Sequence, residues 1–329
     1  MTLVCASITG TITACATSMP LTEQTNKKSR HLDSLTALEI VTLMNQEDHA
    51  IAQAITPCLP EIAQAIEHIT HALKHGGRLM YIGAGSSGRL GVLDASECPP
   101  TFSAPRGQVV GIIAGGEKAL RDAVESVEDD GNLGIHDLNA LHLSSNDVVC
   151  GISASGSAPY VCHALRYAHE IGCFTIMLSC NPHHNLNALV DCYIVPEVGP
   201  EILTGSTRLK AGTATKMVLN MLSTASYVVL GKVYQNYMVD LVPLNQKLIK
   251  RATTILEQIL TIDTPTAEKL LAMSNNNVKT AIIMQSLNLT YDDACTLLNE
   301  HAYSPLQEII DRCHKKDYEQ LATVGEQSC

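Results

Sequence analysis

The feature that most constrains the fold is a short apolar segment that runs into a loop of small residues and then into a helical pattern. Arg78–Ile82 leads directly into Gly83-Ala-Gly-Ser-Ser-Gly88, and helical spacing follows through Val92 until Pro99-Pro100. Two more units have this order: Gln108–Ala114, Gly115-Gly116 and Glu117–Glu128, then Asp147–Ile152, Ser153-Ala-Ser-Gly-Ser157 and Ala158–Ile171. Repetition of strand, loop and helix predicts right-handed crossovers and a parallel sheet.

The flanking segments complete an α/β architecture. Phe174–Ser179 and Cys192–Val195 are two further predicted strands, so the sequence predicts a doubly wound parallel sheet flanked by helices. Apolar residues at helical spacing between Ser34 and Leu73, interrupted at Pro57 and Pro60, predict N-terminal helices. After Val239 the spacing predicts several short helices and no strand. We therefore expect three parts: an N-terminal extension, 1–33, that is disordered, an α/β domain, 34–239, and a small helical domain, 240–329.

Charge and composition exclude several classes of function. The net charge is −11, which leaves no basic surface for nucleic acid, and no apolar run is long enough to cross a membrane. The twelve cysteines form no Cys-x-x-Cys pair, and we expect reduced thiols in a cytoplasmic protein. His183-His184 lacks partners at zinc-like spacing, so we expect a solvated loop. Met1–Ser18 is uncharged without a basic region, which fits a disordered extension or an early start codon better than a secretion signal.

The two loops predict a binding site for a phosphate monoester. Gly83-x-Gly85-x-x-Gly88 matches a dinucleotide fingerprint, but the next strand ends in Ile113-Ala-Gly-Gly116 without the acid that would hold a ribose. Short hydroxyls, backbone amides and a helix N-terminus suit a phosphate instead. The candidate residues are Gly85, Ser86, Ser87, Ser153, Ser155 and Ser157. The alternative is that these serines are helix caps.

Charged residues near these loops are candidates for catalysis and binding. Glu97 lies beside the Pro99-Pro100 break, which would aim its side chain, and Glu128 belongs to the acidic run Glu125–Asp130. The alternative for Glu128 is a solvated helix end. The segment Pro196–Thr215 opens a long helix and contains Glu201, Arg208 and Lys210, which are candidate substrate-binding residues or solvated groups at a polar helix start.

These residues resemble those of the N-acetylmuramic acid 6-phosphate etherase family, within the sugar isomerase (SIS) domain superfamily. The matching stretches are Tyr81–Thr101, Gly111–Glu117, Glu125–Asp130, Gly151–Gly156 and Pro196–Thr215. The run through Glu97 separates this family from other SIS domains, which share only the serine loops. The resemblance extends from about Ser34 to Val239, and the helical tail fits it too.

The resemblance implies a lyase that converts N-acetylmuramic acid 6-phosphate and water into N-acetylglucosamine 6-phosphate and D-lactate. It implies that Glu97 is the acid that protonates departing lactate and then activates water, and that Glu128 is the base at C2. No metal, nucleotide or redox cofactor is required. The family also implies a homodimer with sites near its interface. The competing hypothesis is a sugar-phosphate sensor, since related domains serve as ligand-binding parts of transcription factors and of the glucokinase regulatory protein.

Overall fold

A five-stranded parallel sheet forms the centre of the chain in the computed structural model, which describes residues 19–124, 126–182, 190–241 and 246–315. The strands are β1 (Leu79–Gly83), β2 (Val109–Ile113), β3 (Val148–Ile152), β4 (Phe174–Leu178) and β5 (Cys192–Ile194). Their order in the sheet is β2-β1-β3-β4-β5. The predicted doubly wound parallel sheet is thereby confirmed. Met1–Ser18 and His183-His184 lie outside the described residues.

Helices surround this sheet and continue beyond it. They are α1 (Ala37–Asp48), α2 (Ile51–Ile55), α3 (Leu59–Lys74), α4 (Gly85–Phe102), α5 (Gly116–Arg121), α6 (Gly131–Ala140), α7 (Pro159–Ile171), α8 (Lys210–Val229), α9 (Gln246–Leu260), α10 (Thr264–Met273), α11 (Val278–Leu287) and α12 (Tyr291–Glu300). A small antiparallel hairpin, β6 (Val233–Tyr234) with β7 (Tyr237–Met238), was not predicted. None of the helices in the described ranges is both long and apolar enough to traverse a bilayer.

Helices cover both faces of the sheet. Successive side chains of a strand point to opposite faces, so each strand contributes to both cores. In β1, Leu79 and Tyr81 belong to a core cluster with α3, α4 and α8. Met80 and Ile82 belong to a different cluster, with residues of α6 and α7. All five residues of β1 are buried, as expected for the central strand of a sheet with helices on both sides.

The strand order places the two small-residue loops together. β1 pairs with β2 on one side and with β3 on the other, with Leu79 opposite both Val109 and Val148. The connections after β1 and β3 therefore leave the sheet in opposite directions. In such an order, the point of reversal opens a crevice at the carboxyl ends of the strands, where open α/β sheets bind ligands.

One helix end lies two residues beyond its predicted place, and another prediction is wrong. α4 continues through Pro99 and Pro100 to Phe102, although each proline removes a helical hydrogen bond. The last turn is held by packing, because the ring of Phe102 stacks on that of Tyr227 with centroids 4.6 Å apart. The predicted helix Glu117–Glu128 ends early, at Arg121, where Asp122 becomes extended.

The acidic run that ends at Asp130 was expected at the end of a helix, but it lies before one. Asp130 accepts hydrogen bonds from the backbone amides of Asn132 and Leu133, at 3.0 and 3.2 Å, and so caps the N-terminus of the unpredicted helix α6. Acidic side chains are favourable at a helix N-terminus and unfavourable at a C-terminus. The run therefore precedes a helix instead of ending one.

The segment 19–34 differs from the predicted disordered extension. It forms three short 3₁₀ turns, and Thr22 and Asn26 are buried. The Asn26 side-chain amide donates to Glu47 Oε2 at 2.7 Å and to the carbonyl of Pro200 at 3.3 Å. These contacts attach the segment to α1 and to the loop before α8.

The C-terminal helices have a core of their own. Buried residues from Val239 to Ile310 form a cluster separate from those around the sheet. Polar contacts join the two parts: Lys279 Nζ donates to the Gly231 carbonyl at 2.9 Å, and Lys232 Nζ lies 3.0 Å from Asp240 Oδ2. The short helices predicted after Val239 are present, and Asn275-Asn-Asn277 separates α10 from α11.

Close contact between α4 and β2 requires glycine at position 111. A Cβ atom there would lie 2.4 Å from the Cα of Val92. We expect Gly111→Ala to lower the free energy of unfolding by roughly 1–3 kcal/mol, because the helix must move away from the strand. Urea unfolding followed by circular dichroism measures this.

The matched control is Gly212→Ala in α8, where the nearest atom to a new Cβ is the Thr207 carbonyl oxygen at 3.6 Å. Alanine is the better helix former, so we expect stability to stay the same or rise by about 0.5–1 kcal/mol. Equal destabilisation by both changes would contradict the packing argument.

Candidate functional site

The first loop places free backbone amides at the start of α4. The N-cap residue is Ala84, and no side chain caps the helix. Gly85 has φ +53°, a backbone conformation that favours glycine, and a Cβ at this position would point into open space. Ser86 and Ser87 are half-buried in the first turn. This end of the helix therefore offers amides and hydroxyls to an anion.

The second loop presents a row of hydroxyls before α7. Ser153 Oγ lies 3.4 Å from Ser155 Oγ, which in turn lies 2.9 Å from Ser157 Oγ. Ser155 Oγ also accepts a hydrogen bond from the Ser157 amide at 3.3 Å. The N-cap of α7 is Ala158, without a side-chain cap bond. The alternative that these serines are helix caps is therefore wrong.

Residues that follow β4 are hydrogen-bonded to the second loop, and the sequence did not indicate these contacts. Asn181 is buried, and its Nδ2 donates to the Ser155 carbonyl at 3.1 Å. The amide of Cys180 donates to the Ala154 carbonyl at 3.0 Å. The backbone amide of Leu21 donates to Asn181 Oδ1 at 3.4 Å, so the N-terminal segment 19–34 reaches this loop as well.

Glu128 lies beside the second loop. Glu128 is exposed and lies in a turn. Its backbone carbonyl accepts a hydrogen bond at 3.0 Å from the amide of Tyr160, which is in the first turn of α7. That bond fixes the backbone of the turn against the helix that follows Ser157. The structure thus brings Glu128 and the serine row to the same end of α7.

Glu97 lies elsewhere in the chain. It is exposed on α4, twelve residues after Gly85, which corresponds to about 18 Å along the helix axis. It lines a groove of about 140 Å³ between α4 and α8 with Leu90, Leu93, Asp94, Lys216, Leu219 and Asn220. α4 begins at the carboxyl edge of the sheet and leads away from it. Within one chain, Glu97 is therefore far from the serine loops.

The groove has a fixed polar wall. Asp94 accepts hydrogen bonds from Tyr81 Oη at 2.9 Å and from Ser223 Oγ at 3.1 Å. Burial raises the pKa of the Asp94 carboxyl, and these two bonds oppose the rise without cancelling it. Asp94 is one turn before Glu97, so this bonding also anchors the stretch of α4 that presents Glu97.

Glu201 and Lys210 have partners inside the chain. The Glu201 carboxylate is fully buried and accepts hydrogen bonds from the amides of Lys210 and Ala211, at 3.0 and 2.9 Å, which caps α8. Lys210 Nζ lies 2.9 Å from Glu47 Oε2, with both side chains largely buried. These contacts favour a supporting role, and direct contact with substrate stays a prediction for both. Arg208 is exposed just before α8.

Glu47 was missed by the sequence analysis because its partner Lys210 is 163 residues away. Besides Lys210, its carboxylate accepts hydrogen bonds from Lys28 and Asn26. Burial alone raises the pKa of Glu47, but hydrogen bonds from these partners outweigh burial and lower the pKa to about 2. A stable carboxylate thus joins α1, the N-terminal segment and the start of α8.

Comparison with known proteins adds a family context to this geometry. Residues 61–169 match the family described as glucokinase regulatory protein N-terminal SIS domain. The N-acetylmuramic acid 6-phosphate etherase of Klebsiella aerogenes is 51% identical over 84% of this chain and 93% of its own. The enzyme of that name from Histophilus somni is 52% identical over 88% of this chain and 96% of its own.

Among solved structures, a phosphoheptose isomerase from Francisella tularensis is similar to this chain, with 19% sequence identity and a TM-score of 0.45. The alignment covers 58% of this chain and 100% of the isomerase chain. That similarity is too distant to bear on function.

The buried Glu47–Lys210 pair predicts a stability that depends on pH. The folded pKa of Glu47, about 2, is below its ordinary value of 4.5, so the pair stabilises above pH 4.5 and its contribution is lost as the pH falls toward 2. Glu47→Gln leaves a buried lysine charge unpaired. We expect it to lower the free energy of unfolding at pH 7 by roughly 3–5 kcal/mol.

Urea unfolding at pH 7, 5, 4 and 3 provides the measurement. The gap between wild type and Glu47→Gln should narrow as the pH falls. Glu67→Gln removes an equal charge from an exposed position of α3 and should have little effect. A gap that is constant with pH would contradict the ion-pair explanation.

Proposed function

Because the chain belongs to the family of N-acetylmuramic acid 6-phosphate etherases, we propose that it cleaves the D-lactyl ether of N-acetylmuramic acid 6-phosphate with water. The products are N-acetylglucosamine 6-phosphate and D-lactate. Family membership carries this conclusion, and the two loops at the carboxyl edge of the sheet agree with it chemically. Both Glu97 and Glu128 are present in the sequence, which favours an enzyme over the alternative of a sugar-phosphate sensor.

The reaction needs one base and one acid. In the open-chain sugar, C2 is next to the C1 aldehyde, so its proton is acidic, and the lactyl oxygen on C3 is placed to leave by β-elimination. A base removes that proton, the C2–C3 double bond forms, and the C3–O bond breaks as an acid protonates the departing lactate oxygen. Water then adds its oxygen to C3, and C2 regains a proton. Each proton transfer is suited to a positioned carboxyl group.

We assign phosphate binding to the two loops. The supporting observations are the uncapped start of α4 at Gly85 and the hydroxyl row Ser153, Ser155 and Ser157 before α7. A phosphate in the crevice would receive amide and hydroxyl donors from both helix ends, with the helix dipoles aligned to favour its charge. Ser86 and Ser87 add two further hydroxyls on the first side.

We assign the base at C2 to Glu128, since its turn is hydrogen-bonded to the start of α7 beside the serine row. We assign to Glu97 the proton for lactate and the later activation of water. The distance of about 18 Å between Gly85 and Glu97 along α4 means that Glu97 must serve a different phosphate site from that of its own chain.

We therefore propose a homodimer in which Glu97 of one subunit completes the site formed by the loops and Glu128 of the other. Exposed apolar residues support a protein contact here: Leu93 on α4 is 48% exposed, and Val228 and Val229 on α8 are 45% and 49% exposed. At the start of α8, Lys210 is buried against Glu47, so Arg208 is the cation there that is placed to reach a partner.

The chain organisation and compartment belong to the same proposal. We divide the chain into the catalytic SIS domain, 34–239, and a helical domain, 240–329, which the separate C-terminal core supports. Residues 19–33 support the second serine loop through Leu21. We place the reaction in the cytoplasm, since buried unpaired thiols such as Cys150 and Cys180 suit a reducing compartment.

The division of labour between the glutamates is testable by substitution. Glu97→Gln keeps the side-chain shape but cannot cycle a proton, so lactate release should fall on the order of 10²–10⁴-fold. Exchange of the C2 hydrogen with deuterium should persist, because the base remains. Glu128→Gln should lose both exchange and release. NMR of the substrate in D₂O, with an enzymatic D-lactate assay, measures both steps.

Wild-type protein must release D-lactate and N-acetylglucosamine 6-phosphate in equal amounts in this assay. Circular dichroism of each variant checks that it is folded. Retention of exchange by Glu128→Gln together with its loss in Glu97→Gln would reverse the two roles. Absence of lactate release by the wild type would refute the proposed function.

The shared site is testable by mixing two inactive variants. Glu97→Gln and Glu128→Gln are unfolded together, refolded and assayed as a mixture. If the two glutamates of a site come from different subunits, half of the dimers are mixed and each has one intact site. We then expect about a quarter of wild-type activity.

Each variant refolded alone provides the control and should stay inactive. A mixture as inactive as its components would show that both glutamates of a site belong to one chain. A monomer by analytical ultracentrifugation would equally contradict the proposal.

A further inference from the structure

The proposed substrate has two anionic groups, and the serine loops account for one of them. Besides the phosphate, the lactyl substituent carries a carboxylate whose carbon is two bonds from the ether oxygen. The group that protonates this oxygen must lie close to it, so the partner of the carboxylate must lie within a few ångströms of Glu97. A carboxylate that leaves water requires a charged or hydrogen-bonding partner.

The groove that contains Glu97 offers such a partner on α8. Lys216 and Asn220 line it, and since they are four residues apart they share one face of the helix. Among the described residues of the groove, Lys216 is the one with a positive charge. Its remaining walls include the apolar side chains of Leu90, Leu93 and Leu219.

The size and chemistry of the groove fit a lactyl group. Its volume of about 140 Å³ suits a three-carbon acid better than a whole sugar phosphate. A lactyl group has a carboxylate on one side and a methyl group on the other, which corresponds to a lysine and an amide beside a set of leucines. The ether oxygen between them would then face Glu97.

The charge of Lys216 is available for this purpose. The other carboxylate of the groove, Asp94, is already held by Tyr81 and Ser223. Within the described part of the chain, Lys216 takes part in no salt bridge. Lys216 lowers the pKa of the Asp94 carboxyl through its charge, and this is the smallest of the effects on that pKa.

We propose that Lys216, with Asn220 beside it, binds the lactyl carboxylate of the substrate and is a specificity-determining residue of the etherase reaction. The inference rests on the proposed function, because it presumes a lactyl ether substrate. It explains how substrate is distinguished from product: N-acetylglucosamine 6-phosphate has the same phosphate but no carboxylate, so it makes no contact with Lys216 and is released.

The test compares two ligands that differ in the lactyl group. Lys216→Gln is assayed for the KM of N-acetylmuramic acid 6-phosphate and for the inhibition constant of N-acetylglucosamine 6-phosphate. Loss of a charged hydrogen bond should raise KM by roughly 10- to 100-fold. The inhibition constant of the product should change less than about twofold, since its phosphate site is intact. Lys216→Arg keeps the charge and should recover much of the lost affinity.

Lys269→Gln, at an exposed position on α10, removes the same charge and controls for a general electrostatic effect. An unchanged KM in Lys216→Gln would overturn the proposal. So would an equal rise in KM and in the product's inhibition constant, because that result indicates a disturbed fold or phosphate site. Wild-type lactate release in the same experiment tests the proposed function separately, since it does not depend on any variant.

Discussion

The reversal of strand order at β1 is the constraint on which the rest of this structure depends. β1 pairs with β2 and β3 in the same parallel register, so the chain must leave the sheet in opposite directions after β1 and β3. The crevice between these connections is a consequence of topology and needs no side chain to create it. Small residues then let the helices approach closely: a Cβ at Gly88 would lie 2.5 Å from the Gly83 carbonyl oxygen, and one at Gly91 would lie 2.8 Å from Tyr81.

The crevice also depends on contacts between segments far apart in the chain. Leu21 bonds to Asn181, and Asn181 bonds to the loop at Ser155. Through Glu47, the same N-terminal region is bonded to the start of α8. The N-terminal segment 19–34 therefore supports the loops that line the crevice. A change in this segment would act on the geometry of the loops.

The sequence predicted those parts of the fold whose causes are local. An apolar strand followed by Gly83–Gly88 or by Ser153–Ser157 determines where a strand ends and a helix begins, and both loops lie where predicted. The extension of α4 beyond Pro100 was not predictable, because it depends on the contact of Phe102 with Tyr227. Glu47 and Asn181 were missed for the same reason: their partners are distant in sequence, and nothing near either residue marks it.

The separation of Glu97 from the loops agrees with the two anionic groups of the proposed substrate. The phosphate is joined to C3 through C4, C5 and C6, and the lactyl carboxylate is joined to C3 through the ether oxygen, so binding both anions would hold C3 between two anchors. Such positioning can supply much of the catalytic effect of an enzyme. A single phosphate cradle at the carboxyl edge of the sheet cannot provide the second anchor, because α4 carries Glu97 and its groove away from that edge. In the proposed homodimer the groove of one chain faces the loops of the other, so both anchors are present at each site and neither subunit has a complete site on its own.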